Sequence, residues 1–151
     1  MQPSLRKATL QDINALVELR AAFLADFFGT EANPDLLTAI RSYFQRAVPA
    51  EEFVAYVAES ENRIVSIGGL IYQQQAPSAA ILSGRICYIL NMYTVPAWRG
   101  RGLATAILGK LIDHAKATGC GRINLHAAIK ARPIYTKAGF VAVDSEMRLD
   151  L

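Results

Sequence analysis

Residues 89–104 read Ile-Leu-Asn-Met-Tyr-Thr-Val-Pro-Ala-Trp-Arg-Gly-Arg-Gly-Leu-Ala, and the way this stretch changes character decides the fold. Its first half is apolar, β-branched and aromatic, the composition of a buried strand. Pro96 ends that run, because proline has no N–H for a ladder and a fixed φ. Arg99-Gly100-Arg101-Gly102 follows, and then Leu103, Ile107, Leu111 and Ala115 recur every four residues, the mark of a helix. Strand, glycine-rich turn and helix in that order leave the free N–H groups of a helix N-terminus beside two residues without side chains. The helix dipole, Arg99 and Arg101 add positive potential there, so the turn is suited to phosphate.

The turn is too short for a P-loop, and Leu103-Ala104 stands where that motif needs Lys-Ser/Thr. A dinucleotide fingerprint would require a third glycine that is missing. The pattern that fits is Arg-x-x-Gly-x-Ala, carried by Arg99, Gly102 and Ala104 after a Val-Pro pair, with Ala131-x-x-x-Tyr135-x-Lys137-x-Gly139-Phe140 further on. Each motif alone is weak; the two in order, about thirty residues apart with a helix and a strand between, are specific. Together they resemble the GNAT superfamily of acyl-CoA-dependent N-acyltransferases, strongly over the C-terminal half and in element order over the N-terminal half.

That resemblance implies an α/β fold, a mixed and twisted sheet of about 6–7 strands with helices on both faces and splayed central strands. The acyl-CoA would lie in the splay. Met92, Tyr93, Thr94 and Val95 would pair with its pantetheine arm, and the backbone of Arg99, Gly100, Arg101, Gly102, Leu103, Ala104 and Thr105 would hold its pyrophosphate. A backbone N–H near Tyr93 would polarise the thioester carbonyl. Asn124 and Lys137 complete the expected cofactor contacts. Tyr135, at the family's tyrosine position, is the expected general acid that protonates the departing thiolate. The implied reaction is acetyl transfer from acetyl-CoA to a primary amine of a small molecule or peptide, by direct attack, without a metal. Homodimers are common among such proteins. The chain departs from the pattern twice: no Asp or Glu occurs between Glu61 and Asp113, where many members place a base, and Ala128 replaces an Asn expected seven residues before the Tyr. The base is left open among a water on Asn91, His126, and Asp26, Glu31 or Asp35. A non-catalytic acyl-CoA-binding or sensing module is the alternative that these departures favour.

The rest of the chain sets bounds. At 151 residues and 52% hydrophobic it is one domain, 1–151, with enough material for a core. No signal peptide opens it, and the uncharged stretch 64–84 is broken by Gln73-Gln74-Gln75 and Pro77, which speaks against a membrane span. Cys87 and Cys120 lack metal-ligand spacing and point to a reducing cytoplasm. Residues 96–140 hold eight Lys/Arg against one acid, within a net charge of +3. Nucleic-acid binding would want exposed aromatics or a basic helix for the groove, and a pocket for a polyanionic cofactor accounts better for Arg99 and Arg101.

Reading in order, the pattern predicts a strand at Leu5–Ala8 and a capping-box start at Thr9–Asp12. A helix follows through Ile13, Leu16, Val17, Phe23, Leu24 and Phe27 to Gly29, and a second is capped by Asn33-Pro34 with Leu37, Ile40, Phe44 and Val48 inward. Strands are expected at Phe53–Glu59, Arg63–Gln73, Ile81–Val95 and Arg122–Ala127, with helices at 102–117 and near Ala131–Lys137. A last pair of strands is expected around Val141 and Met147–Leu149.

Overall fold

A computed structural model describes residues 2–151. Five strands, β1 (Ser4–Lys7), β2 (Phe53–Ser60), β3 (Arg63–Gln74), β4 (Arg85–Thr94) and β5 (Arg122–Leu125), form one sheet in sequence order. The first four run antiparallel, and β5 joins β4 in parallel after a helical crossover. Helices α1 (Ile13–Phe28) and α2 (Pro34–Ala47) cover one face, while α3 (Leu103–Ala117) and α4 (Arg132–Lys137) pack on the other.

The local signals act where the sequence places them. Thr9 and Asp12 form the reciprocal capping box, and Asp12 also receives two bonds of 2.8 Å from the Arg6 guanidinium. Those bonds, together with the Thr9 backbone N–H, hold the Asp12 carboxyl below its ordinary range against the opposing effect of burial. The Asn33 side chain accepts the Leu36 N–H at 2.9 Å, with Pro34 in the first turn. Leu103, Ile107, Leu111 and Ala115 are all buried against the sheet, as their spacing requires. Phe27 departs from its expected place: it is exposed and stacks only on Phe23, because α1 overruns the edge of the core at its last turn.

Three expectations are corrected. The sheet has five strands, since the tail beyond α4 forms none; Val141, Val143, Met147 and Leu149 alternate as a strand would but stand exposed, with no ladder partner. Strand β4 begins at Arg85 rather than Ile81, because Ser78 and Ile81 close a turn on each other and Gly84 continues it. Cys87 and Cys120 are joined in a disulfide with Cα atoms 6.1 Å apart, so the inference of a reducing compartment loses its footing. Thirty-three residues separate them in sequence, but β4 and β5 pair with Cys87 opposite Ile123, which brings the turn before β5 to the side of β4.

One irregularity organises the site. Between Leu90 and Tyr93, β4 carries one residue more than β3 opposite it, and Asn91 takes a left-handed φ of 59°. Before this bulge Cys87 and Ile89 face α3; after it Met92 faces α3 while Tyr93 joins the α1–α2 core. Gly68 lies across from the bulge: a methyl there would sit 2.4 Å from Met92 Sδ, 2.7 Å from Ile107 Cγ2 and 2.9 Å from Leu111 Cδ1. Gly68→Ala is therefore expected to cost about 1–3 kcal/mol by overpacking, read as a lowered urea midpoint with an unchanged slope.

On the α3 face, His114 sits between two tyrosine hydroxyls, Tyr56 at 3.1 Å from Nδ1 and Tyr72 at 2.9 Å from Nε2. A neutral ring donates through one nitrogen and accepts through the other, which suits two hydroxyls. Burial, then the charge of Lys7, lowers the His114 pKa below its ordinary value. The folded state thus binds this proton less readily than the unfolded chain does. Stability should be intact above the unfolded value of about 6.5 and fall as pH drops below it, with a slope under ~1.4 kcal/mol per unit. Urea midpoints at pH 7.5 and 5.5 measure this, and His114→Phe should flatten the difference.

Candidate active site

Strand β4 pairs with β5 only from Ile86 to Ile89. Beyond that point β4 continues for five residues without β5 beside it. The Val95 N–H is spent on Val65 O at 3.0 Å, so with Tyr93 it faces β3, and alternation turns the backbone groups of Met92 and Thr94 toward the opening. The backbone groups of β4 left free on this side are thus those of Met92 and Thr94, while those of Tyr93 and Val95 are turned to β3. Thr94 O already accepts Arg99 Nε at 2.9 Å.

At the mouth of this opening the chain turns through Gly100 and Gly102, both left-handed with φ of 73° and 77°. That conformation favours glycine, and no protein atom would meet a Cβ at either position, so the space before the turn is open. The first helical bond of α3 is Ala106 N–H to Gly102 O. The N–H groups of Leu103, Ala104 and Thr105 therefore precede the ladder and point out of the helix end, and no side chain caps it. A nest of this kind fits a pyrophosphate. Arg101 lies over the Trp98 ring, 4.5 Å from its centroid. Arg99 is drawn to the other side, pairing with Asp26 at 3.2 Å.

Tyr135 belongs to the α3-face core, which also holds Leu103 and the partly buried Met92, Val95 and Trp98. It is 8% exposed, and its ring meets Phe140 edge-on at 5.9 Å. Burial raises the pKa of its phenol, keeping it protonated at neutral pH. Lys137 stands exposed at the end of α4. Asn124 lines a cavity of about 700 Å³ with Ile112, Ala138 and Phe140.

The residues considered as base are also placed. Asp26 is engaged by Tyr93 Oη at 2.7 Å and by Arg99, and Glu31 and Asp35 are exposed. His126, just past β5, pairs with Glu146 at 2.6 Å and contacts the Tyr88 hydroxyl. Asn91 is 2% exposed and accepts Arg20 Nη1 at 2.6 Å. Arg20 carries no signal in the sequence, since a lone Arg on a helix reads as surface, and its contact with the bulge depends on packing that no local pattern shows.

Comparison with known proteins agrees with this geometry. A profile described as the Acetyltransferase (GNAT) family matches residues 14–140. A glucosamine 6-phosphate N-acetyltransferase of Trypanosoma brucei brucei is 33% identical over 89 residues, 59% of this chain and 58% of that protein. An Escherichia coli uncharacterized N-acetyltransferase, YjgM, is 30% identical over 94% of this chain and 84% of its own. The crystal structure of a predicted acetyltransferase with acetyl-CoA from Clostridium acetobutylicum superposes with a TM-score of 0.90 at 35% identity, covering 99% of this chain and 96% of that one. No helix among the described residues is long and apolar enough to cross a membrane, and no cluster of three metal-ligating side chains occurs among them. The chain belongs to the GNAT acetyltransferase family and is an acyltransferase.

Proposed function

We propose that the protein transfers the acetyl group of acetyl-CoA to a primary amine of a small molecule or peptide. The observation that carries this reading is the pairing of the left-handed Gly100 and Gly102 turn with a β4 edge that has no β5 neighbour past Ile89. Bound there, the cofactor supplies an activated thioester. The N–H groups of Leu103, Ala104 and Thr105 hold its pyrophosphate, with Arg101 alongside, and the gap-facing backbone of Met92 and Thr94 pairs with its arm. A gap-facing N–H at the bulge meets the carbonyl oxygen as charge develops. Tyr135 gives its proton to the departing sulfur.

The test is thermal unfolding with acetyl-CoA, with ATP as a control polyanion. Acetyl-CoA at ~100 times its Kd should add about 2.7 kcal/mol, roughly 5–10 °C, and ATP should add nothing comparable. Release of CoA thiol on adding amines then measures turnover. Glucosamine 6-phosphate belongs in the first panel, because relatives at 25–33% identity carry its name. The lack of any acid on β4 favours a second reading, a non-catalytic acyl-CoA sensor; stabilisation by acetyl-CoA with no amine-dependent thiol release would establish it.

A further inference from the structure

A cavity of about 300 Å³ opens between α1, α2 and β4, lined by Tyr43, Phe44, Phe53, Leu90, Asn91 and Arg20 among others. The bulge turns two consecutive residues, Leu90 and Asn91, into it. Those same residues begin the part of β4 that has no β5 partner. A molecule in the cavity therefore adjoins whatever lies in the opening on the other side of the bulge.

The lining is apolar and aromatic except at one end. Tyr43, Phe44 and Phe53 stack on one another with centroids 5.0–6.0 Å apart. At the polar end stands the Arg20 guanidinium, half-buried and 5.5 Å over the Phe23 ring. Its neutral partner is the Asn91 carbonyl oxygen, and among the described residues no carboxylate lies within ion-pair distance of it. The contrast with Arg6 is informative: that cation receives both Asp12 and Glu59. Burial without a counter-charge is unfavourable for a cation, and it lowers the Arg20 pKa below its ordinary value. Holding Arg20 also fixes the Asn91 amide, and its Nδ2 is left buried with no hydrogen-bond partner. A cavity wall thus carries an uncompensated cation beside an unsatisfied donor.

We infer that Arg20 and Asn91 form an anion-binding end of the acceptor site, and that the acceptor is a primary amine bearing a carboxylate and an apolar body, as in a hydrophobic amino acid. One guanidinium matches the single charge and planar fork of a carboxylate. A phosphate dianion would find one cation where it needs two, and a sugar would find few partners for its hydroxyls on this apolar wall. The inference rests on the acetyltransferase reading for the amine, but not for the carboxylate.

Two measurements separate those parts. Thiol release with saturating acetyl-CoA compares phenylalanine and methionine with phenethylamine, phenylalaninamide and glucosamine 6-phosphate. The carboxylated amines should be favoured in kcat/KM by roughly 10- to 150-fold over forms lacking the charge. Arg20→Met should erase that preference and Arg20→Lys should retain part of it. Equal or better turnover of the uncharged forms, a preference for glucosamine 6-phosphate, or selectivity undiminished in Arg20→Met would overturn the inference. If no amine releases thiol, acetyl transfer fails, and calorimetry judges the carboxylate site by itself: phenylalanine binding and phenethylamine not binding supports it, and any other result overturns it.

Discussion

Replacing Tyr135 by Phe should lower kcat by ~100-fold or more while leaving the Kd for acetyl-CoA within about threefold. The substitution removes one oxygen from a ring that is 8% exposed and held edge-on by Phe140. The packing of this ring against Phe140 within the α3-face core should therefore survive. The loss falls on the proton that a thiolate needs as it leaves. The raised pKa of this phenol suits an acid: it keeps its proton across the neutral range, when a lowered value would surrender it. Steady-state kinetics with calorimetric binding decides the matter. A Tyr135→Phe enzyme that turns over at the wild-type rate would remove the residue from the chemistry and leave it as packing.

Reduction should cost the fold about 3–4 kcal/mol. The bond between Cys87 and Cys120 closes a loop with a sequence separation of 33, and loop-closure entropy of that size accounts for the figure. Cys87 is fully buried against α3, among Leu111 and Ala115, so the bond joins the core to the segment that launches β5. For a chain of this length the loss corresponds to a drop of roughly 7–15 °C in Tm. Thermal unfolding with and without a phosphine reductant measures it, and Cys120→Ser should match the reduced protein and ignore the reductant. A wild-type Tm indifferent to reductant would show that the bond does not form.

The portion of this molecule legible in its sequence is the portion governed by local rules. Pro96, the paired glycines and the four-residue spacing of Leu103, Ile107, Leu111 and Ala115 announce a strand, a turn and a helix through short-range sterics, and those elements stand where expected. The capping residues Thr9 and Asn33 are legible for the same reason. Features set by register are not. An alternating apolar tail from Val141 to Leu149 satisfies the strand pattern, yet a strand needs a neighbour as well as a pattern, and here it has none. The Cys87–Cys120 bond and the Arg20–Asn91 contact join residues 33 and 71 positions apart, and only the pairing of β4 with its neighbours brings them together. Asn91 itself reads as one polar residue in a buried strand. Its left-handed φ, which lets two successive side chains share a face, leaves no trace in composition.

That extra residue gives β4 a place that tolerates a kind of genetic change which regularly paired stretches of strand would not. Loss of the single codon for Asn91 would leave both motifs intact and shorten the protein by one residue. It would also remove the bulge and set Met92 directly after Leu90, so that plain alternation would keep Met92 on the α3 side and Tyr93 on the α1–α2 side. Tyr93 would stay on the side of Asp26, and the loss would fall on Arg20, whose partner Asn91 would be gone. The two faces of β4 are kept distinct by counting, and the bulge is the one place in this strand where the count can fall by one without reversing them.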